Sequence, residues 1–382
     1  MNTVALGELV LTNARIVLAD TVLDGSVRVD GGIITDIAPS SRTGMDLDGD
    51  YLIPGLVELH TDHLETHYAP RPKVRWNPVA AVQAHDAQIA ASGITTVLDA
   101  LRVGMDEHAD LGATEMKTLA DAIRAGNAAG RLRAEHHIHL RCEVSAPDCL
   151  DSFTLLQDDP QVRLASLMDH APGQRQFASA DAYRVYYQGK LKMTDAALDE
   201  FIQRRNAESV AHAGPHRRAI AEICRDKGIV IASHDDATRD HVEEAVALGT
   251  DVAEFPTTLE AAKASRQAGM AILMGGPNVV RGGSHSGNVS ARALAEADLL
   301  DILSSDYIPF SMLQSAFSLA DNVEGISLSR AIQMVTKRPA EAAGFHDRGE
   351  VAIGKRADFV QVRVEDGIPI VRTVWRQGRR VI

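Results

Sequence analysis

Between residues 54 and 348 the sequence alternates eight short apolar runs with helix-like stretches, and half of the runs end on a histidine or a carboxylate. The runs are LVELHTD, ITTVLDA, HHIHLRCEV, VRLASLMDH, GIVIASHDD, DVAEFP, MAILMGG and LDILSSD. Apolar segments of this length suit strands buried on both faces, the condition of a parallel sheet covered by helices. The stretch PVAAVQAHDAQIAAS, residues 78–92, is the helical counterpart, with proline in its first turn and Gly93 just past its end. Eight such units predict an α/β fold of the (β/α)8 TIM-like barrel type, whose active site gathers at the C-terminal ends of the strands. A doubly wound sheet is the alternative that the same alternation allows.

The two chain ends read differently. Residues 9–37 show short strands of β-branched residues separated by Asp-Gly and Gly-Gly turns, and the same pattern returns from GEVAIGKRADFVQVRV to VRTVWRQGRRVI. Strands at both ends with the barrel between them predict a small β-sandwich domain from residues 1–53 plus 349–382, with the barrel inserted as residues 54–348. The length of 382 residues accommodates one large unit and one small one.

Charge and composition narrow the partners. The formal charge of −13 opposes a nucleic acid or an anionic membrane as partner. No apolar run approaches the ~18 residues of a membrane span, and the start carries no signal-peptide pattern, so a cytoplasmic location is expected. Cys142, Cys149 and Cys224 fall in no spacing that suggests disulfides or a thiolate zinc site.

The strand ends carry the chemistry: His60 and Asp62, Glu143, His170, His234 with Asp235 and Asp236, Glu254, and Asp306. Strand alternation puts Glu58, His60 and Asp62 on one face, and His139, Arg141 and Glu143 on one face. Charges at the ends of buried strands must be paired or metal-bound, and imidazoles mixed with carboxylates suit zinc, manganese or iron. The bland alternative applies elsewhere: His85 and His136 read as hydrogen-bonded or surface residues, and His212, His216 and His241 as solvated positions on helices. His63, Glu65 and His67 lie past the first strand and carry no assigned role.

The motifs PGLVELHTD, SGITTVLD and the final SSD, together with a sheet from both ends, resemble the amidohydrolase superfamily of metal-dependent hydrolases. More narrowly, LHTDHLETHYAPRPKVRW, HLRCE, SLMDHAPGQRQF, YYQGK, ASHDDAT, AEFPTT, MGGPNVVRGGSHSGN and DILSSDY are similar to the diphosphatases of phosphonate catabolism. The resemblance implies hydrolysis of a ribose methylphosphonate 5-triphosphate to its 5-phosphate and pyrophosphate. It implies one or two divalent ions per chain, zinc before manganese or iron, held by His60, Asp62, Glu143, His170, His234 and Asp306. Glu143 is the expected bridging ligand, with Glu254 its competitor, and Asp306 would take the proton of the attacking water. Two departures stand out: the first-strand motif is His60-Thr61-Asp62 rather than His-x-His, and His170 follows the fourth run rather than the fifth. Glu58 is expected behind an imidazole, fixing its tautomer.

A triphosphate brings about four negative charges to an acidic protein, so basic side chains must help to hold it. The candidates are Arg71, Lys73 and Arg75 in PRPKVR, Arg175, Lys190 and Arg281, all placed after strand ends. Ser284 and His285, in a loop where Gly282, Gly283 and Gly287 leave backbone N–H groups free to turn inward, complete the expected substrate set. The rival readings are a cyclic-amide hydrolase or deaminase on the same barrel and a non-catalytic assembly protein. The implied partner is a small phosphorylated sugar, and a homo-oligomer is left open.

Overall fold

Both chain ends meet in one sheet. Its N-terminal strands are β1 (Leu9–Val17), β2 (Val22–Asp30), β3 (Ile33–Ala38), β4 (Met45–Asp46) and β5 (Tyr51–Pro54). Eight strands follow: β6 (Leu56–Thr61), β7 (Ile94–Val103), β8 (Glu135–Glu143), β9 (Val162–Met168), β10 (Val230–His234), β11 (Val252–Glu254), β12 (Ala271–Gly275) and β13 (Ile302–Ser304). The chain closes with β14 (Phe359–Glu365), β15 (Ile368–Arg376) and β16 (Arg379–Arg380). This is a computed structural model, and it describes residues 7–39, 43–104, 111–175, 194–284 and 287–382.

The end sheet runs β16-β15-β14-β5-β1-β2-β3, with β4 beside β1. The ends join where β14 pairs antiparallel with β5, Phe359 opposite Pro54 and Val362 opposite Tyr51. Its buried side chains, among them Leu11, Ile16, Val27, Leu52, Phe359 and Trp375, form a core of their own. Asp-Gly was expected to mark a turn in this region, but Asp24 and Gly25 lie inside β2. A Cβ on Gly25 would stand 2.1 Å from the Ala38 carbonyl oxygen, so glycine serves close strand approach there. The Gly31-Gly32 pair does make the expected tight turn, both residues at positive φ between β2 and β3.

The eight central strands are the eight predicted runs, all parallel in the order β13 to β6. Helices cover them; the one predicted over 78–92 is present as Pro78–Ala91, with Asn77 accepting from Ala80 N at 3.1 Å. The ends of the sheet meet through Asp306 N donating to the His60 carbonyl at 3.1 Å and Asp62 N to the Asp306 carbonyl at 3.3 Å. Glu58 reinforces this seam: its carboxylate accepts from His60 N at 2.6 Å and Ser305 N at 2.5 Å. It therefore holds backbone, not the imidazole expected of it, and burial pushes its pKa up to about 7.

The barrel is apolar below and polar above. Leu164, Ala232 and Val252 belong to a buried apolar cluster with Leu98, Leu273, Ile302 and Phe345. Two residues further along the same strands stand Ser166, His234 and Glu254, so strand alternation alone lifts polar groups to the C-terminal end.

At the opposite end, Glu135 at the start of β8 receives Arg356 at 2.6 Å and Arg348 at 3.1 Å. Both arginines come from the segment that leads back to the end sheet. Burial works against the charge of Glu135, but the hydrogen bond from His137 and the two guanidiniums outweigh it, and its pKa lies below the ordinary carboxylate value of 4.5. Glu135→Gln is expected to cost about 1–3 kcal/mol, less than the 3–5 of a wholly buried pair because the side chain is partly exposed. A depressed carboxylate stabilises fully above its unfolded pKa and loses that contribution as pH falls through the folded one, so the gap between wild type and variant should narrow below about pH 4.5. A gap in urea midpoint that stays constant from pH 7 to pH 3 would rule the ion pairs out as its source.

Candidate active site

Glu254, at the end of β11, organises the polar layer. One carboxylate oxygen accepts from His60 Nδ1 at 3.2 Å, the other from His234 Nδ1 at 3.1 Å and from Ser166 Oγ at 2.5 Å. The His60 and His234 rings are stacked 5.8 Å apart, and Phe255 meets each edge-on at 5.1 and 5.2 Å. With both Nδ1 protons committed to Glu254, each ring keeps its Nε2 lone pair for something else. Burial opposes the Glu254 charge, but His60 and His139 hold its pKa well below the usual range. His139 contacts Ser166 and gives its Nδ1 proton to the Leu59 carbonyl at 2.9 Å. Within the cluster of His60, His139 and Glu254, only His60 Nε2 is left over, and His60 lines the cavity.

Beside it, Asp235 follows β10 at φ 57, a left-handed turn that ends strand alternation. Its Oδ2 is buried without a hydrogen-bond partner and lies 3.6 Å from both His170 Nε2 and His234 Nε2. His170 Nδ1 is held by Glu143 at 2.6 Å, as His234 Nδ1 is held by Glu254. Two imidazoles with their far nitrogens tied to carboxylates, converging on an orphaned carboxylate oxygen, fit a divalent cation. Without one, burial opposes protonation of His170, but Glu143 and Asp235 raise its pKa to about 9.

Glu143 does not stand in the position of a bridge. One of its oxygens accepts from His170 N at 3.0 Å, Ser145 Oγ at 2.5 Å and Arg205 at 3.3 Å, and the other is taken by His170 Nδ1. Asp62 faces Arg141, 2.9 Å away, rather than an imidazole. Asp306, at φ 55 on the turn after β13, lies near His60, Asp62 and Arg141. Burial and the Asp62 charge raise its pKa, and His60 and Arg141 only partly offset them.

His60, Arg141, His170, His234, Asp235 and Asp306 line one cavity at the C-terminal mouth of the barrel, together with Asn278, Arg281, Ser284 and Tyr307. Of the expected phosphate ligands, Arg281 and Ser284 are therefore at the site. Arg71 and Lys73 are exposed in the loop after Tyr68, outside that lining. Arg175 departs from expectation: it is buried, paired with Asp236 and Glu244, and those two carboxylates consume its charge. Lys190 and His285 lie outside the described residues. His216, expected in solvent, is buried and hydrogen-bonded to the Val144 carbonyl at 3.0 Å. The count of runs holds, with His170 after the fourth strand, β9, and His234 on the fifth, β10.

Two charged cavity residues carry a role that the sequence did not assign: Asp235, named among the strand ends but not as a ligand, and Arg141. Asp235 sits next to His234, and a regular strand would point it to the opposite face; only the left-handed turn brings it inward. Arg141 shares its strand face with His139 and Glu143, which was a usable signal, but an arginine among ligand types reads as a structural ion-pair partner.

The sequence pattern of the amidohydrolase family matches residues 51–381. The chain is 47% identical over 377 residues to the alpha-D-ribose 1-methylphosphonate 5-triphosphate diphosphatase of Escherichia coli strain K12, covering 98% of this chain and 100% of that one. It is 25% identical to the imidazolonepropionase of Rhodococcus jostii strain RHA1, over 94% of this chain and 88% of the relative. Among solved structures it resembles N-acetylglucosamine-6-phosphate deacetylase from Pasteurella multocida, with a TM-score of 0.63 at 16% identity, covering 98% and 99% of the two chains. That last likeness is one of fold.

Proposed function

The chain belongs to the amidohydrolase family, and on that premise we propose that it hydrolyses α-D-ribose 1-methylphosphonate 5-triphosphate to the 5-phosphate and pyrophosphate. The observation that carries this reading is the end-to-end likeness to the Escherichia coli diphosphatase. The site supports it, because the cavity sets the guanidinium of Arg281, with Arg141 paired to Asp62 nearby, beside a cluster suited to a divalent cation. A neutral cyclic amide has no use for that added positive charge, and a non-catalytic assembly protein has no use for a cation site. The same reading makes residues 54–348 the catalytic barrel and places the enzyme in the cytoplasm, where a polyanionic sugar would be met.

His170, His234 and Asp235 would hold the ion, with zinc the first choice for two imidazoles and a carboxylate. When bound, it supplies positive charge that acidifies an attacking water and offsets phosphate charge. Glu143 and Glu254 keep the two rings in the tautomer whose Nε2 faces the cavity. Asp306, on the rim, accepts the proton of water at its carboxylate as the oxygen closes on the α-phosphorus. The new bond is P–O from water, and the bond that breaks joins the α-phosphorus to the bridging oxygen. Arg281 and Ser284 face the departing pyrophosphate and counter the charge gathering on that oxygen.

Turnover of the triphosphate in ¹⁸O-water, read by mass spectrometry, tests the reading. The label is expected in the ribose 5-phosphate and not in pyrophosphate. Label in pyrophosphate, or release of single phosphate, would refute the assigned attack.

A further inference from the structure

We propose that His63, His67 and His85 form a second divalent-metal site, selective for a nitrogen-preferring ion such as zinc and separate from the catalytic one. His63 stands just before helix α1 (Leu64–Tyr68), His67 lies one turn on, and His85 comes from helix α2 (Pro78–Ala91). The ring centres lie 5.0, 5.8 and 5.9 Å apart, and one nitrogen from each ring falls within 4.8 Å of one from each of the others. None of the three lines the active-site cavity.

What points to a ligand is the set of nitrogens left over. His63 Nδ1, His67 Nε2 and His85 Nδ1 are buried and have no hydrogen-bond partner. Three rings packed together, each with a buried nitrogen that no protein group satisfies, leave an unmet demand that a bound cation would answer, since a neutral imidazole can turn a lone pair toward it.

The support behind His85 follows the same logic. Its Nε2 is 2.7 Å from Asp99 Oδ1, which fixes the proton there and leaves Nδ1 bare toward the other two rings. Asp99 is held in turn by His136 Nδ1 at 2.7 Å, and His136 Nε2 sits 3.3 Å from Asp86. A carboxylate behind a ligating imidazole orients the ring and raises its basicity. All four of these side chains are fully buried, so the arrangement is rigid. Two histidines four apart, backed by a third from another helix, give three nitrogen ligands, and the partial exposure of His63 and His67 leaves water free to complete a fourth. The ion would clamp α1 and its following loop, which carries Arg71 and Lys73, onto α2.

The test counts ions in the full-length chain. Protein stripped with a chelator and retitrated with zinc should bind one equivalent fewer in His67→Ala and in His63→Gln than in wild type. His234→Ala should lower the count through the catalytic site while keeping this equivalent, which separates the two proposals. Zinc retained by His234→Ala should show an imidazole-nitrogen shell by X-ray absorption, a readout that holds even where a variant at His63 or His67 fails to fold. Wild-type stoichiometry in both His67→Ala and His63→Gln, or an oxygen-only shell in His234→Ala, overturns the proposal.

Discussion

Asp306→Asn is expected to lower kcat on the order of 10²-fold or more while leaving KM for the triphosphate within a few-fold. The amide keeps the volume and most of the polarity of the carboxylate but cannot accept a proton. Asp306 is well placed to do so, since it lines the cavity, lacks the short ion pair that ties Asp62 to Arg141, and has its proton affinity raised by burial and by the Asp62 charge. Its backbone N–H and carbonyl take part in the seam with β6, and that seam does not depend on the side chain. Loss of kcat without loss of stability therefore isolates the proton transfer. Steady-state kinetics with a thermal melt decides it: near-normal kcat would hand the base role to another cavity carboxylate, Asp235 first.

The barrel was legible because its cause is local. A parallel strand buried on both faces must be a short apolar run, and runs such as GIVIASHDD and MAILMGG carry that requirement in their own residues. The ligand-rich strand ends were legible for the same reason, because a carboxylate or imidazole there violates the apolar rule. What each polar group would face was not local. Arg175 is neutralised by Asp236 and Glu244, over sixty residues away in sequence, and Glu143 is drawn to His170 by a hydrogen bond that no spacing announces. From sequence Glu254 reads only as a possible bridge; its role in tying His60 to His234 depends on β6 and β10 lying on either side of the barrel interior. The His63, His67 and His85 triad illustrates the same limit, since His85 looks like any buried helical histidine until α1 and α2 are packed together.

Asp235→Asn is expected to weaken divalent-ion binding at the catalytic site by more than about 100-fold, and Glu254→Gln by roughly 10–100-fold. The ranking follows from what each carboxylate touches. Asp235 Oδ2 has no hydrogen-bond partner among the described residues and stands 3.6 Å from His170 Nε2 and His234 Nε2, so its negative charge serves an ion held between the two rings, and an amide oxygen in its place offers far less. Glu254 touches no cavity space; it holds the Nδ1 protons of His60 and His234, and a glutamine there still accepts one hydrogen bond while losing the charge that strengthens both rings. Measuring both on a His67→Ala background removes the second site from the count, and zinc competition against a chromogenic chelator then reports the catalytic affinity alone. Activity should track occupancy, with Glu254→Gln recovering at high zinc and Asp235→Asn recovering little. If Asp235→Asn binds zinc as tightly as the parent, the ion does not sit between His170 and His234, and the ligand set must instead be sought around His60, Asp62 and Asp306.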